Sequence, residues 1–134
     1  MQIQSLNLKT TSTDQLISQL KQGLPAETFD QLRSKLNVSD NALSKIVQIS
    51  RRTLDRRRIT GRLATDESER IVQVAQVYDM AVDVFGNPQK AERWLKKPAR
   101  GLGGKIPLEY SDTHLGAQEV INLLGRIMHG VFPG

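Results

Sequence analysis

The stretch SDNALSKIVQISRRTLDRRRITG, from Ser39 to Gly61, combines the densest positive charge in the chain with a regular spacing of apolar residues. The spacing predicts a first helix from about Asp40 to Gln48, capped by Ser39, then a turn and a second helix capped by Ser50. We expect four aliphatic side chains of this stretch to meet in a small core: Leu43, Val47, Ile49 and Leu54. This inward pattern is typical of a helix-turn-helix.

The second predicted helix presents polar and basic side chains on its outer face. The outward set is Ser50, Arg51, Arg52, Asp55 and Arg56, with Ile59 as a further candidate. In a helix-turn-helix these are the positions that enter the major groove of DNA. The planar fork of arginine contacts phosphates and can also take both acceptors of a guanine edge. We therefore predict a DNA-binding surface that consists of Ser50, Arg51, Arg52, Thr53, Asp55, Arg56, Arg57 and Arg58.

Three residues near this surface need special attention. Arg57 occupies a place where many such helices bury an aliphatic residue, and we expect its methylenes to cover apolar surface while its head reaches phosphate. Asp55 either accepts from a cytosine amino group or holds Arg51 or Arg58 in place, and we favour the holding role. Gln48 enters the turn, where glycine is common, and requires a tolerated backbone conformation.

Positive charge is concentrated in this part of the chain. Residues 31–62 include nine basic and two acidic residues, a net charge of +7, whereas the whole chain of 134 residues carries +5. The rest of the chain therefore carries −2. A local excess of this kind suits the phosphates of nucleic acid. The simpler alternative is a solvated basic helix without a ligand.

The composition limits the class of protein. With 38% hydrophobic and 4% aromatic residues, the chain is expected to fold as one or two small domains with a mainly aliphatic core. The absence of cysteine excludes disulfides, thiolate metal sites and thiol nucleophiles, and it fits a reducing cytoplasm. No apolar run is long enough to span a membrane, and the first residues are too polar for a secretory signal. We expect a soluble, cytoplasmic protein without a membrane partner.

The chain before the motif is also predicted to be helical. Residues 1–11 have no clear period and are predicted to form a mobile arm or a short extended segment. A helix is predicted to begin at Ser12 or Thr13, and Pro25 suits the first turn of the helix that follows it. Together with the motif, these helices predict an all-α, helix-turn-helix domain of residues 1–64.

The remaining residues, 65–134, are predicted to form a small C-terminal helical domain. Thr65 is expected to cap a long helix of residues 65–86, which bridges the domains, forms a dimer face or simply belongs to the core. Pro88 starts a short helix, and the glycines and prolines between Pro98 and Pro107 forbid a continuous one. A final helix is predicted to begin near Asp112 or Thr113.

Nothing in the sequence indicates catalysis. The pair Gly104-Lys105 is followed by Ile106 rather than by Ser or Thr, so the glycine-rich stretch does not match a nucleotide-binding P-loop. The chain has two histidines, and no His or carboxylate pair has the spacing of a metal or proton-transfer site. We predict that the protein is not an enzyme and uses no cofactor or metal.

Four segments in this order resemble the bacterial Xre/ParS/MbcA antitoxins of type II toxin–antitoxin pairs: SRRTLDRRRITGRL, DESERI, AERWLKKPARGLGGKIPLE and GAQEVINLLGRIMHGVF. The resemblance extends from Asp40 to Phe132. It implies an N-terminal Xre-like domain that binds its own promoter and a C-terminal domain that binds a toxin. In the branch that the chain resembles most, the toxin has a RES domain and degrades NAD, and the antitoxin covers the entrance of its active site.

The resemblance also implies which residues face the toxin. In the loop segment they are Trp94, Arg100, Gly101, Leu102, Gly103, Gly104, Pro107 and Leu108. In the last helix they are Gly125, Arg126, His129, Gly130, Val131 and Phe132. The expected partners are the NAD-degrading toxin, double-stranded operator DNA and a second copy of the chain, in a larger toxin–antitoxin assembly. The alternative is a stand-alone helix-turn-helix repressor whose C-terminal helices dimerise or sense a ligand.

Overall fold

The computed structural model describes residues 3–6, 8 and 12–130. These residues form α-helices and two short 3-10 helices, at Gln4–Leu6 and Arg100–Leu102, and they contain no β-strand. The predicted all-α class is therefore confirmed. The α-helices are α1 (Thr13–Gln22), α2 (Glu27–Leu36), α3 (Asp40–Val47), α4 (Arg51–Thr60), α5 (Thr65–Phe85), α6 (Pro88–Leu95), α7 (Pro107–Tyr110) and α8 (His114–Met128).

Helix α5 lies at the centre of the fold. It contacts α1, α2, α3, α6 and α8, together with the first 3-10 helix. Its buried apolar side chains extend around most of its circumference: Ile71, Val72, Val74, Ala75, Val77, Tyr78 and Ala81. Burying a large aliphatic side chain contributes roughly 1.5–3 kcal/mol, so a helix of this kind is stable only when neighbours cover it on several sides. The core role that the sequence left open is thus observed.

Helices α3 and α4 form the predicted helix-turn-helix. Ser39 Oγ accepts from the backbone N–H of Ala42 at 3.1 Å, and Ser50 Oγ accepts from that of Thr53 at 3.1 Å, which confirms both caps. Gln48 has a φ of 56°, in the left-handed region that glycine adopts most easily. The predicted core residues of the motif are buried: Leu43, Val47, Ile49 and Leu54.

The start of α5 differs from the prediction. Thr65 is not the cap, because the capping position is Ala64, whose backbone N–H donates to Glu67 Oε1 at 2.8 Å. The Thr65 hydroxyl instead donates to the backbone carbonyl of Lys21 at 3.3 Å. In a capping box, a glutamate three residues after the capping position accepts from the backbone N–H of the capping residue. The predicted threonine cap was therefore not needed.

The described residues of the first segment pack into the core. The 3-10 helix Gln4–Leu6 lies against α2 and α5, and Ile3 and Leu6 are each only 2% exposed. A mobile arm is wrong for these residues, since two apolar side chains at helical spacing bury one face of the turn. Pro25 also lies outside the first turn of α2, in an isolated bridge with Arg62.

The C-terminal helices begin as the sequence predicts. Asn87 caps α6 and Pro88 is its first residue. Thr113 Oγ1 accepts from the backbone N–H of Gly116 at 3.0 Å and so caps α8. Residues 96–106, between α6 and α7, contain no α-helix, in agreement with their glycines and prolines.

A single cluster of buried side chains includes residues from Ile3 to Leu124. It contains side chains from both sides of residue 64, so the two halves of the chain share one core. The division into domains of residues 1–64 and 65–134 stays a prediction. No helix in the described part of the chain is both long and apolar enough to cross a membrane.

Candidate functional site

The outer face of α4 carries exposed arginines. Ser50, Arg51, Arg52, Asp55 and Arg56 are all exposed, whereas the neighbouring Thr53 is half-buried and its hydroxyl pairs with that of Ser50 at 3.0 Å. Within the described residues, Arg52 and Arg56 form no ion pair. Their guanidinium groups are therefore available to an external anion.

Arg51 is held towards α3. Its Nη1 donates to Asn41 Oδ1 at 2.9 Å, and its Nη2 lies 3.9 Å from Asp40 Oδ2. The side chain is still 48% exposed. Arg51 is thus oriented by the first helix of the motif and keeps part of its guanidinium in solvent.

Arg58 faces inward and joins α4 to α2 and α3. Its Nη2 donates to Asp30 Oδ1 at 2.6 Å and to Asp40 Oδ1 at 3.2 Å, and its guanidinium carbon lies 5.7 Å from the centre of the Phe29 ring. Asp55 is 3.9 Å from Arg58 Nη1, at the limit of an ion pair. This distance agrees with the holding role that we favoured for Asp55. Arg58 itself is occupied within the molecule.

Arg57 is paired with the start of α5. Its Nε donates to Glu67 Oε1 at 2.9 Å and its Nη2 donates to Glu67 Oε2 at 3.2 Å, a bidentate pair. Burial raises the pKa of Glu67, but the hydrogen bonds from Arg57 and from the Ala64 backbone outweigh it and hold the pKa below its ordinary value. The Arg57 guanidinium, which we predicted to reach phosphate, pairs with the carboxylate of Glu67 instead.

Asp40 is the carboxylate that this arginine cluster shares. Arg33 Nε lies 3.3 Å from its Oδ1, in addition to the contacts from Arg51 and Arg58. The hydrogen bond from Arg58, followed by the charges of Arg58, Arg51 and Arg33, lowers the pKa of Asp40 below its ordinary value of 3.8 although burial opposes the change. Asp40 stays ionised at neutral pH and fixes the orientation of α4 relative to α3.

The turn of the motif is held by the centre of the fold. Arg70 on α5 donates from Nε to the carbonyl of Val47 at 2.6 Å and from Nη2 to that of Gln48 at 3.3 Å. The Gln48 side chain in turn donates to the carbonyl of Asp112, just before α8, at 3.0 Å. Arg70 was not predicted to have a role, because the spacing of apolar residues in α5 does not distinguish it from a solvated arginine.

A compact loop of residues 99–105 precedes α7. The backbone N–H groups of Leu102 and Gly104 both donate to the carbonyl of Ala99 at 3.0 Å, and Ala99 N–H donates to Lys105 at 2.9 Å. Gly103 and Gly104 have φ values of 65° and 86°, which L-residues rarely adopt. These glycines therefore close a tight loop. The N–H groups of residues 102–105 are used within it, which leaves no phosphate cradle there.

The residues that the resemblance assigns to the toxin are not equally accessible. Those exposed in the described chain are Arg100, Gly103, Gly104, Arg126, His129 and Gly130. Those partly buried are Trp94, Gly101, Leu102 and Gly125. Pro107 and Leu108 are buried, so they shape the segment from within. Val131 and Phe132 lie outside the described residues.

Two apolar features lie at or next to the residues assigned to the toxin. The rings of Trp94 and Phe85 are 5.5 Å apart between centres and inclined by 40°, which fixes α6 against the end of α5. Met128, on the last turn of α8, is 45% exposed. Met128 was not among the residues predicted to face the toxin. Its position next to the assigned His129 could have indicated it.

The chemistry of these surfaces is that of binding. In the described part of the chain, no group of three or more His, Asp or Glu side chains could hold a metal ion. The α4 face offers free guanidinium groups. The residues assigned to the toxin lie mainly on the rigid loop of residues 99–105 and on α8, which has Gly125 on its surface. The first suits anions, and the second suits a partner with a complementary shape.

Comparison with known proteins finds a family match for each half of the chain. Residues 15–76 match the antitoxin Xre-like helix-turn-helix domain, and residues 80–130 match the antitoxin Xre/MbcA/ParS C-terminal toxin-binding domain. The chain is 36% identical over 129 residues to an Antitoxin Xre of Photorhabdus laumondii, which covers 95% of this chain and 87% of that protein. The chain belongs to the Xre/MbcA/ParS antitoxin family. It is an antitoxin of a toxin–antitoxin system.

Other relatives of this antitoxin give the same picture. An Antitoxin Xre of Yersinia enterocolitica is 37% identical over 119 residues, which are 87% of this chain and 80% of that protein. The Prs ADP-ribosylating antitoxin of a Sphingobium species is 27% identical over 126 residues, 87% of this chain and 79% of that protein. A chain in the crystal structure of the M. tuberculosis MbcT–MbcA toxin–antitoxin complex matches with a TM-score of 0.63 and 23% identity, over 81% of this chain and 96% of that one. That match shows a shared fold.

Proposed function

We propose that this antitoxin neutralises a RES-domain toxin that degrades NAD, by binding directly over its active site. We propose further that it represses its own operon as a homodimer through α4. The two activities use the two surfaces described above. They lie on different elements of the fold, so we expect substitutions that impair one and leave the other.

The observation that supports DNA binding is the pair of unpaired arginines on the outer face of α4. Arg57 and Arg58 are neutralised by carboxylates of the same chain, whereas Arg52 and Arg56 have none within the described residues. Arg52 and Arg56 are four residues apart on the same face of α4, where like charges repel by about 0.2–0.5 kcal/mol, and bound phosphates would turn this repulsion into attraction. Ser50, Arg51, Arg52 and Arg56 are therefore the proposed DNA contacts, while Arg57 and Arg58 hold α4 in place.

DNA binding is tested with the promoter of the antitoxin's own operon. If a dimer contacts about six phosphates, affinity falls on the order of a thousandfold between 50 and 200 mM salt. Two α4 helices in adjacent major grooves require half-sites about one DNA turn apart, which footprinting measures. An affinity that does not change with salt would contradict the phosphate contacts.

The toxin surface is supported by the rigid loop of residues 99–105, whose short 3-10 helix contacts α8. A loop whose N–H groups are already satisfied needs little further ordering when it binds, so it loses little entropy. The name of the Sphingobium relative refers to ADP-ribosylation, which takes ADP-ribose from NAD, and this supports a partner that consumes NAD. The proposed toxin contacts are the accessible members of the assigned set together with Met128.

The neutralisation is tested by expressing the antitoxin with the neighbouring reading frame and purifying through a tag on the antitoxin. We expect a stoichiometric partner that is inactive in the complex and destroys NAD once the antitoxin is removed. An antitoxin that purifies alone as a DNA-binding dimer would instead favour the stand-alone repressor. Deleting residues 131–134 should impair neutralisation and leave promoter binding intact.

A matched pair of substitutions on α8 locates the surface more closely. A Cβ built on Gly125 meets nothing within 4 Å, so Gly125→Leu should fold normally and obstruct a partner that lies against this face. Glu119→Leu is the control, because Glu119 is exposed on the same helix but points about 120° away from Gly125 around the helix axis. We expect Gly125→Leu to weaken toxin binding at least tenfold, about 1.4 kcal/mol. Equal toxin affinity of the two variants would remove Gly125 from the surface.

A further inference from the structure

Ile59 is an apolar residue in an otherwise charged setting. It is 87% exposed, more than any other large hydrophobic side chain of the described residues. A single exposed aliphatic residue is normal in a soluble protein and by itself indicates nothing. Its position near the C-terminal end of α4, however, places it on the helix face that we propose for DNA.

The helical period fixes this position. With about 100° of rotation per residue, Ile59 lies about 20° from Arg52, between Asp55 and Arg56 around the helix axis. It is about 140° from Leu54, the buried residue of α4. The side chain therefore projects from the same face as the two free arginines. It lies closer to the C-terminal end of α4 than either of them.

The distance along the helix suits a groove. Ile59 comes seven positions after Arg52, which corresponds to about 10 Å at 1.5 Å per residue. Base pairs are stacked about 3.4 Å apart, so the two side chains lie about three base-pair steps from each other. If α4 lies along the major groove over this length, and does not enter it by its first turn alone, both residues reach base edges at the same time.

We propose that Ile59 contacts the C5-methyl group of a thymine in the major groove and so selects a T·A pair at one position of each half-site. This inference rests on the proposed DNA-binding function. Thymine is the base whose major-groove edge carries an apolar methyl group, and the other edges offer hydrogen-bonding groups that an isoleucine cannot satisfy. Contact with a methyl group buries apolar surface on both sides, whereas contact with cytosine or adenine leaves an amino group without a partner.

Charge argues against a second protein copy on this face. Two copies that met through Ile59 would bring Arg52 and Arg56 of both copies together, with Asp55 as the nearby exposed carboxylate on the face. Like charges at such an interface cost free energy, whereas the phosphates that line a groove neutralise them. The apolar residue and its basic neighbours thus fit the same ligand.

The test uses base analogues that lack the methyl group. A randomised duplex library selected with the full-length protein gives a consensus duplex, and each thymine in it is then replaced in turn by deoxyuridine. At one position of each half-site we expect the wild-type affinity to fall about fourfold, the factor expected for burying one methyl-sized group. Ile59→Ala should lose a similar factor on the thymine duplex and bind the uridine duplex with the same affinity as the thymine duplex.

Two control variants and the fold are measured alongside. Ile59→Val should keep most of the discrimination between thymine and uridine, and Ile17→Ala should behave like the wild type on both duplexes, since Ile17 is exposed on α1. The inference is overturned if the wild type ignores every uridine, or if Ile59→Ala still discriminates. Equal weakening of all duplexes together with a loss of dimer in light scattering would assign Ile59 to a contact between copies. Failure of the wild type to select any duplex removes the proposed DNA binding as well.

Discussion

The helix-turn-helix and the segment that leads into α8 are stabilised in different ways. In α3 and α4, side chains carry the structure: serines cap both helices, and arginines of α4 bridge to carboxylates of α2, α3 and α5. In residues 99–116, the backbone carries it, through N–H groups that donate within the loop and a glycine that faces a backbone carbonyl. The first region should therefore be sensitive to charge and the second to added volume.

This difference fits the ligands that we propose for the two surfaces. A recognition helix must keep some arginines for DNA, and neighbouring arginines of the same helix are satisfied by carboxylates so that they do not repel one another. A protein surface that fits a folded partner needs a fixed shape, which tight backbone packing provides. Four substitutions, from the largest expected effect to the smallest, test the contrast.

The largest effect is expected from Gly116→Ala at the start of α8. A Cβ at Gly116 would collide with the carbonyl oxygen of Tyr110, a backbone atom that cannot move alone. We expect a loss of about 3 kcal/mol in the free energy of unfolding, measured in urea. Gly125→Ala on the same helix is the control: it should be neutral or gain up to about 1 kcal/mol, because alanine favours helix. Similar stability of the two variants would break the contrast.

Arg58→Ala tests the charge side of the comparison. It removes hydrogen bonds to Asp30 and Asp40 and should cost about 2 kcal/mol of stability. Arg52→Ala should change stability by less than about 0.5 kcal/mol and weaken promoter binding roughly tenfold or more. If Arg52→Ala destabilised the fold as much as Arg58→Ala, the inner and outer arginines would not differ in role.

Asp40→Asn should have a smaller effect that depends on pH. The folded-state pKa of Asp40 is lowered, so its stabilising contribution is present above the ordinary value of 3.8 and is lost as the pH falls through the folded value. Because solvent screens the cluster, we expect about 1 kcal/mol at pH 7. Urea unfolding at pH 7 and at decreasing pH should show the difference from the wild type shrinking below about pH 4. A constant difference would rule out the ion-pair explanation.

Asp79 is a carboxylate outside both regions. We expect Asp79→Asn to change stability in the opposite direction to Asp40→Asn. Burial raises the pKa of Asp79 on α5, and hydrogen bonds from the Ser5 and Gln4 backbone offset this only in part. A raised carboxyl pKa means that the charged form costs stability, a cost that is absent below the ordinary value of 3.8 and grows as the pH rises through the folded value. Asp79→Asn should therefore gain about 0.5 kcal/mol at pH 7. A loss at pH 7 would contradict the burial effect.

Features that depend on nearby residues were predictable from the sequence. Ser39, Ser50 and Thr113 cap helices because the N–H groups that they accept are three residues away. Leu43 and Leu54 face inward because the helical period decides their direction. The all-α class and the position of the helix-turn-helix follow from such local rules.

Features that depend on tertiary neighbours were not predictable. Whether an arginine of α4 is free or paired is decided by Glu67, ten residues beyond Arg57, and by Asp30, 28 residues before Arg58. The sequence shows five arginines in one helix but not which of them meet carboxylates. Similarly, the burial of Leu108 depends on how α7 packs. The resemblance names a residue at that position without telling whether it lies at the surface.

Helix α5 has a consequence for the living cell. It spans about 30 Å and shares its buried side chains with both halves, so the molecule should melt in one cooperative step. Neither half then persists when the other is lost, and a protease that captures the opened chain destroys both. The abundance of intact antitoxin thus sets two outputs at once: the same event that frees the toxin also clears the promoter on which we propose it sits. If the proposed repression holds, resynthesis of the antitoxin then begins at the moment when it is most needed.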